Sequence, residues 1–307
     1  MEFISCKEYA EEQKELLRDI VSQFNDKPQL VVIQVDDNPA SNSYINNKKK
    51  LCKEVGIQFT HLHISSEKHS QKYLEDCIRK FGEDDSVSGI IIQLPIPDKY
   101  NVDELLQCIP PNKDVDGFRK DSKFTPCTPD GIRNWLKYNN YNFVGKEAVV
   151  VGRSEIVGKP LTNILIDEGA TVTCCNSHSD VMLHTECADI VFSAIGKPKY
   201  FDHTWFDKNA IEVVVDVGIN RDENGKLCGD VDREDVEKHC PYTYVTPVPN
   251  GVGKLTVITL IEHTVQAYIY NNLLKNFTSV DEIINIACTV FEHEVQNEIK
   301  HCLEDGE

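Results

Sequence analysis

The sequence predicts an α/β protein with two domains and parallel sheets. At 307 residues the chain is long enough for two domains that each bury a core. Short apolar runs alternate with amphipathic stretches, and this alternation is typical of βαβ units with parallel strands. A glycine-containing turn directly after the apolar run 148–151 indicates where a second α/β unit begins.

The first half of the chain predicts a helix followed by a βαβαβ series. The predicted elements are a helix over 6–24, a strand over 29–35, a helix within Asp36–Gly56, a strand over 57–64, a helix over 70–81 and a strand over 87–94. In parallel α/β sheets the carboxyl ends of the strands face the ligand. Gln93 lies at such an end, where it fits either a ligand contact or an ordinary solvated strand end.

The helix within Asp36–Gly56 carries the first candidate catalytic residue, Lys48. Asn38 can cap this helix, Pro39 suits its first turn and Gly56 can end it. One face is shared by a stripe that includes Lys48: Tyr44, Lys48, Leu51, Cys52 and Val55. The pattern fits a buried lysine, and it fits equally a lysine whose stem follows the apolar border with its amine in water.

Two acidic residues follow in a loop, and a further helix comes after them. Asp114 and Asp116 stand two residues apart in the Pro-, Asn- and Gly-containing run 110–118, where they could bind a cation, shape a turn or recognise a ligand's donors. Thr128 and Pro129 predict the start of a helix that runs to about Tyr138. The polar run 139–146 then indicates a domain boundary.

The second half begins with a strand that runs straight into a glycine turn. The run 148–151 leads into Gly152-Arg153-Ser154 and on to Gly158, before a helix and a second strand over 171–175. This layout places a pyrophosphate at a helix N-terminus, although the spacing GxSxxxG also fits an ordinary βα turn. Further strands over 189–195 and 213–217 favour a dinucleotide-binding domain.

Hydroxyl and imidazole groups follow the second of these strands, in the run 174–179. An acidic residue there would bind the ribose diol of NAD. Ser177 and His178 stand in its place, and Arg153 lies in the glycine loop. Such groups can bind a ribose phosphate, which favours NADP as the cofactor.

Composition excludes several classes of protein. The net charge of −18 argues against nucleic-acid and anionic-membrane partners. No apolar run is long enough to span a bilayer, and the charged N-terminus is unlike a signal peptide. The twelve cysteines contain no CxxC pair, so we interpret them as reduced thiols of a cytoplasmic protein. The histidines lack ligand spacing, so no metal site is predicted.

Several segments together resemble a known enzyme family. They are DNPAS, YINNK, GIIIQLPIP, NKDVDGF, TPCTPDGI, VVVGRSEIVGKPL, ADIVFSAIGKP, VVVDVGIN, GDVD and YVTPVPNGVGKLT. In this order they resemble the bifunctional methylenetetrahydrofolate dehydrogenase/cyclohydrolase family over nearly the whole chain. The resemblance implies oxidation of methylene-tetrahydrofolate with NADP, hydrolysis of the product to formyl-tetrahydrofolate, and a homodimer.

The resemblance also implies roles for individual residues. It makes Lys48 the catalytic lysine, with Tyr44 one helical turn before it and Gln93 beside it, and it matches Asp116 to the carboxylate that binds the pterin. The implied cofactor contacts are Gly152, Arg153, Ser154, Gly158, Ser177 and Ile219. The implied substrate contacts are Tyr44, Gln93, Asp116, Pro249 and Gly251.

The implied domain organisation has three parts. An N-terminal folate-site domain spans 1–139 and regains a C-terminal helix over 255–275, a Rossmann-like NADP-binding domain spans 140–254, and the active cleft lies between them. An amphipathic helical extension over 276–307 continues beyond the family core. Asn250 and Lys254 depart from the family's usual Gly-Gly-Val-Gly-Pro-Met-Thr loop, and we expect Asn250 to tolerate positive φ and Lys254 to be exposed.

Two alternatives remain at this point. One is a dehydrogenase of the same family without cyclohydrolase activity, and the presence of Lys48 argues against it. The other is a cofactor-binding protein that has kept the fold and lost turnover. The set Tyr44, Lys48, Gln93 and Asp116 argues against that alternative.

Overall fold

The computed structural model describes residues 3–206 and 211–276, and these residues form two compact α/β units. One unit contains Gln13–Phe124 and the described residues from Leu260 onward, and the other contains Thr125–Thr259 and the described residues up to Glu12. The predicted α/β class with parallel sheets is confirmed. The helix predicted over 276–307 lies outside the described residues, apart from its first position.

In the described part of the chain, no helix has the length and apolar content needed to cross a membrane.

The elements up to residue 124 follow the predicted helix and βαβαβ series, with one further short helix. They are α1 Cys6–Ser22, β1 Gln29–Val35, α2 Pro39–Val55, β2 Gln58–Ile64, α3 Gln71–Glu83, β3 Gly89–Gln93 and α4 Val102–Leu106. Strand β1 pairs in parallel with β2 on one side and β3 on the other. In this register Gln34 of β1 lies directly beside Gln93 of β3.

Helix α2 begins and ends where its sequence predicts. The side-chain oxygen of Asn38 accepts a hydrogen bond from the backbone N–H of Ser41 at 3.2 Å, as an N-cap does. Gly56 has φ 93°, a conformation that costs glycine little, and its N–H bonds the carbonyl of Cys52 at 2.9 Å. The predicted stripe faces inward, because Lys48 is buried while the adjacent Lys49 is exposed.

The elements after residue 124 form the second α/β series and the last helix. They are α5 Cys127–Tyr138, β4 Glu147–Val151, α6 Gly158–Asp167, β5 Thr171–Cys175, α7 Val181–Thr185, β6 Ile190–Ser193, a 3-10 turn His203–Trp205, β7 Val213–Asp216, β8 Asn220–Arg221, β9 Leu227–Cys228, α8 Arg233–His239, β10 Tyr244–Val245 and α9 Val252–Asn276. The five-stranded sheet has the order β10-β7-β6-β4-β5, and all of its pairs are parallel.

The start of α5 differs from its sequence prediction. The helix begins at Cys127, and the N-cap residue is Pro126, which has no side-chain cap bond. Thr128 does not cap the helix. Its hydroxyl instead lies 3.0 Å from the hydroxyl of Thr256 in the same unit. The hydroxyl that the local pattern predicts as a helix cap therefore makes a tertiary contact.

Gln34 fixes the connection between β1 and α2, although sequence reasoning gave it no role. Its side chain is only 2% exposed. The amide nitrogen donates to the carbonyl of Asp36 at 3.0 Å and to the side-chain oxygen of Asn42 at 2.6 Å. The amide oxygen lies 2.9 Å from Nε2 of His61 on β2. One buried amide therefore ties the turn before α2 to two neighbouring strands.

We expect Gln34→Leu to lower the stability of the folded chain by about 2 kcal/mol, because it removes the three hydrogen bonds of this buried amide, each worth about 1 kcal/mol net. Leucine has a similar volume, so the loss reports on the hydrogen bonds more than on packing. The midpoint of urea unfolding, followed by circular dichroism, measures the change. Gln58→Leu on the exposed end of β2 is the matched control. Equal midpoints for the two variants would contradict the role of Gln34.

Candidate active site and cofactor loop

Lys48 is held inside its unit by a neutral partner. The side chain is 8% exposed, and its ammonium nitrogen donates to the amide oxygen of Gln93 at 3.1 Å. The amide nitrogen of Gln93 donates to the carbonyl of Leu94 at 3.0 Å, which fixes the amide with its oxygen toward the lysine. The structure thus joins two residues that the sequence placed on separate elements. Gln93 therefore binds Lys48 and is more than a solvated strand end.

Tyr44 lies one helical turn before Lys48 on the same face of α2 and is half-buried. Burial raises the pKa of its hydroxyl. The hydroxyl therefore stays neutral near pH 7, and it can both donate and accept a hydrogen bond. This leaves Tyr44 able to orient a water or an amine without adding charge to the site.

The loop that carries Asp116 is shaped by its neighbour Asp114. Asp114 is fully buried, its carbonyl accepts the N–H of Gly117 at 3.1 Å, and its carboxyl accepts the N–H of Arg119 at 2.8 Å. Burial raises the pKa of the Asp114 carboxyl, and the nearby charge of Asp116 adds to this effect. The turn interpretation therefore holds for Asp114, while Asp116 stays partly exposed.

Helix α9 supports the same loop from within this unit. The ring of His263 is buried, and its Nδ1 lies 3.0 Å from the carbonyl oxygen of Val115. The ring also packs against Phe124, with 5.0 Å between the centroids. The two residues before Asp116 are thus both fixed, Asp114 through the turn and Val115 through His263.

In the second unit, the glycine turn after β4 brings the backbone close to a neighbouring strand. Gly152 has φ 120°, and a Cβ there would overlap the carbonyl oxygen of Ala194. A Cβ on Gly158, the first residue of α6, would overlap the carbonyl of Gly152. Both positions therefore need glycine.

The predicted cofactor contacts lie around this turn and at the end of the adjacent strand. Arg153, Ser154 and Ser177 are exposed, and Val151 and Cys175, the last residues of β4 and β5, are register partners. The hydroxyl of Ser154 accepts the N–H of Gly158 at 3.4 Å. Ile219 is 46% exposed after β7. A cation and exposed hydroxyls at one edge fit the phosphates of a dinucleotide.

Asp230 organises the neighbouring loop, and sequence reasoning missed it apart from the GDVD motif. Its carboxylate is fully buried and accepts hydrogen bonds from five donors: Ser193 Oγ at 3.0 Å, Ile195 N at 2.7 Å, Gly196 N at 3.2 Å, Lys197 N at 2.8 Å and Asn220 Nδ2 at 2.8 Å. Three consecutive backbone N–H groups after β6 are therefore bound by one side chain. In the sequence, the available signal for this role is an aspartate that follows a glycine in the GDVD motif.

Asp216, the last residue of β7, holds Asp230 in place. One carboxyl oxygen accepts the N–H groups of Gly218 at 3.0 Å and Asp230 at 2.9 Å, and the other accepts the N–H of Val231 at 2.9 Å. Burial raises the pKa of Asp216 to about 7, although the N–H donors of Val231 and Asp230 oppose the shift. Asp216 can therefore take up a proton near neutral pH.

Comparison with known proteins identifies both parts of the chain. Residues 4–116 match the family model described as tetrahydrofolate dehydrogenase/cyclohydrolase, catalytic domain, and residues 126–272 match the one described as its NAD(P)-binding domain. The chain belongs to the tetrahydrofolate dehydrogenase/cyclohydrolase family. The resemblance found in the sequence motifs is confirmed.

Individual members of the family match over most of their length. The chain is 42% identical to the bifunctional protein FolD of Anoxybacillus flavithermus, over 87% of this chain and 97% of that protein. It matches a crystal structure of the FolD methylenetetrahydrofolate dehydrogenase/cyclohydrolase of Campylobacter jejuni with a TM-score of 0.83 and 38% identity, over 88% and 99%. The Trypanosoma brucei dehydrogenase-cyclohydrolase complexed with NADP and an inhibitor matches with a TM-score of 0.79 and 26% identity, over 88% and 97%.

The loop that departs from the family's usual sequence keeps a strained backbone. Asn250 has φ 75°, so the residue that replaces glycine adopts the conformation that asparagine tolerates. A Cβ on Gly251, which follows Pro249 and Asn250, would overlap the carbonyl of Pro247. Lys254 is exposed, as expected for a lysine at the start of α9. Asn250 and Lys254 are therefore both compatible with the conformation of this loop.

The raised pKa of Asp216 predicts a pH-dependent contribution to stability. The folded pKa of about 7 lies above the ordinary value of 3.8, so the folded state binds the proton more tightly between these values. The contribution of Asp216 to stability therefore falls as the pH rises from about 4 to about 7. We expect the free energy of unfolding of the wild type, relative to Asp216→Asn, to fall by about 1 kcal/mol per pH unit in this window.

Urea unfolding at a series of pH values measures this difference. Asp216→Asn keeps an oxygen for the N–H groups of Gly218 and Asp230, and it removes the titration. Asp167→Asn, on an exposed position of α6, is the control. The interpretation fails if the Asp216 variant follows the wild-type pH dependence as closely as the Asp167 variant does.

Proposed function

We propose that this chain oxidises methylene-tetrahydrofolate to methenyl-tetrahydrofolate with NADP and then hydrolyses the product to formyl-tetrahydrofolate. Membership of the dehydrogenase/cyclohydrolase family and its NAD(P)-binding domain support this activity. The observation that carries the proposal is the buried pair of Lys48 and Gln93 on the ligand edge of the first sheet. This pair supplies the proton acceptor that the hydrolytic step needs.

Substrate binding in this proposal rests on Asp116. The pterin ring presents an amino group and a ring N–H, and a carboxylate accepts both in a bidentate arrangement. Asp116 is partly exposed, and its loop is fixed by Asp114 and His263. Pro249 and Gly251 complete the proposed substrate contacts from the loop before α9.

The oxidation removes a hydride from the carbon that bridges the two folate nitrogens. NADP, when bound, accepts this hydride. The protein's part is to position the reacting groups, because well-oriented groups react far faster than free ones. We propose that Arg153, Ser154 and Ser177, with the turn from Gly152 to Gly158, bind the phosphates, and that Ile219 contacts the cofactor.

The hydrolysis adds water to the methenyl carbon and opens the ring. In its neutral form Lys48 accepts a proton from the attacking water. The resulting ammonium then gives this proton to the leaving ring nitrogen as the carbon–nitrogen bond breaks. Gln93 holds the lysine through a neutral oxygen, so the proton acceptor is placed without a counter-charge. Tyr44, one turn away, orients the water by hydrogen bonding.

Lys48→Met is expected to lower cyclohydrolase activity by about 10²–10⁴-fold, the range that general acid–base groups contribute. Methionine matches the apolar stem of lysine and lacks only the amine, so the fold is retained. Loss of the methenyl absorbance on conversion to formyl-tetrahydrofolate measures the rate, and circular dichroism checks the fold. Lys49→Met, on the exposed face of the same helix, is the control. Full conversion by the Lys48 variant would refute the role.

For the cofactor, we expect Arg153→Ala to raise the KM for NADP about 10-fold or more and to leave the KM for NAD nearly unchanged, because only NADP carries the ribose phosphate. Initial rates of absorbance change on adding methylene-tetrahydrofolate with each cofactor give both constants. Lys226→Ala, an exposed cation beside the β8–β9 hairpin, serves as the control. Equal losses with the two cofactors, or a wild-type preference for NAD, would contradict the phosphate contact.

We also propose that the protein acts as a homodimer in the cytoplasm and binds no nucleic acid. The ten described cysteines are all free thiols, which supports a reducing compartment. The net charge of −18 opposes binding to a phosphate backbone. The homodimer is carried over from the family.

A further inference from the structure

Two histidines and an aspartate meet on the surface of the second unit. His203 begins the 3-10 turn His203–Trp205, and Asp235 and His239 stand one turn apart on α8. One ligand atom from each of the three residues lies within 4.8 Å of the others. Sequence reasoning predicted no metal site because the histidines lack ligand spacing along the chain. The four-residue spacing of Asp235 and His239 was the only local signal.

The distances within this cluster are close to those of a metal site. Nδ1 of His203 lies 2.6 Å from Oδ2 of Asp235, and Nδ1 of His239 lies 3.2 Å from Oδ1 of the same carboxylate. Tetrahedral Zn²⁺ with bonds of about 2.0–2.1 Å separates its ligand atoms by about 3.3 Å. The ring centroids of the two histidines are 4.0 Å apart, so the two imidazoles lie side by side next to the carboxylate.

The aspartate is already held in place for such a role. The backbone N–H of His203 donates to Oδ2 of Asp235 at 2.9 Å. Nδ1 of His239 lies 2.9 Å from the backbone carbonyl oxygen of Asp235, a contact that an ion bound at this nitrogen would replace. The cluster therefore offers one carboxylate and two imidazoles, the ligand types that Zn²⁺ and related transition metals prefer.

The cluster is also open to solvent. The three side chains are 29% (His203), 30% (Asp235) and 38% (His239) exposed, so a metal ion can enter and a water can complete its coordination. None of the three residues takes part in the proposed folate or NADP chemistry. An ion here would connect the 3-10 turn to α8 and would act on stability.

We propose that His203, Asp235 and His239 form a binding site for a divalent transition-metal ion of the Zn²⁺ type. The site has three protein ligands and one position for water. Its effect is to stabilise the second unit by holding the 3-10 turn against α8, because an ion that binds only the folded state shifts the unfolding equilibrium. The proposal is independent of the folate reaction.

Titration with Co²⁺, followed by visible absorption, tests the site in the full chain. We expect tetrahedral Co²⁺ bands that saturate at one equivalent, with no thiolate-to-cobalt band in the near ultraviolet, and displacement of Co²⁺ by Zn²⁺. Replacing both histidines, His203→Gln with His239→Gln, is expected to lower the affinity at least ~10-fold, and Asp235→Asn is expected to do the same. Zn²⁺ should raise the melting temperature of the wild type and not of the double variant.

His184→Gln is the matched control, because this partly exposed histidine lies on α7 outside the cluster. It should keep the wild-type affinity and the Zn²⁺-dependent rise in melting temperature. Full retention of one equivalent in the double variant would overturn the proposal. A strong thiolate-to-cobalt band in the wild type would also overturn it, because the ion would then be bound to cysteine.

Discussion

Parallel strand pairing is the constraint on which both candidate sites depend. In the first unit the register of β1 with β3 sets Gln34 beside Gln93, and Gln34 ties down the turn into α2 while Gln93 binds Lys48 from that helix. In the second unit the register of β4 with β5 sets the glycine turn beside the loop of Ser177. A shift of one residue would turn every side chain on the strand to the opposite face, so these juxtapositions follow from the register.

Where local chemistry determines a structure, the sequence predicts it well. The ends of β1 and β5 and the cap residues of α2 agree with the pattern because apolar runs, Asn38 and Gly56 act on their own neighbours. The burial of Lys48 was open in the sequence, since a stripe position fits both a buried amine and one that reaches water. The hydrogen bond to Gln93 decides it, and that bond spans two elements.

Features that join distant parts of the chain were not predictable in the same way. Asp230 binds a loop that precedes it by more than thirty residues. The hydroxyl of Thr128, which is predicted to cap α5, contacts Thr256 instead. The short strands β8, β9 and β10 each contain two residues, too few for a periodic pattern. In each case tertiary hydrogen bonding overrides or replaces the local signal.

Both sites place a buried charged group against amide groups instead of an opposite charge. Lys48 donates to the side-chain amide of Gln93, and Asp230 accepts the backbone N–H groups of the loop after β6. Amide dipoles satisfy a buried charge without a salt bridge, whose ions must both be desolvated. A neutral partner positions the lysine and leaves the proposed proton acceptor able to act.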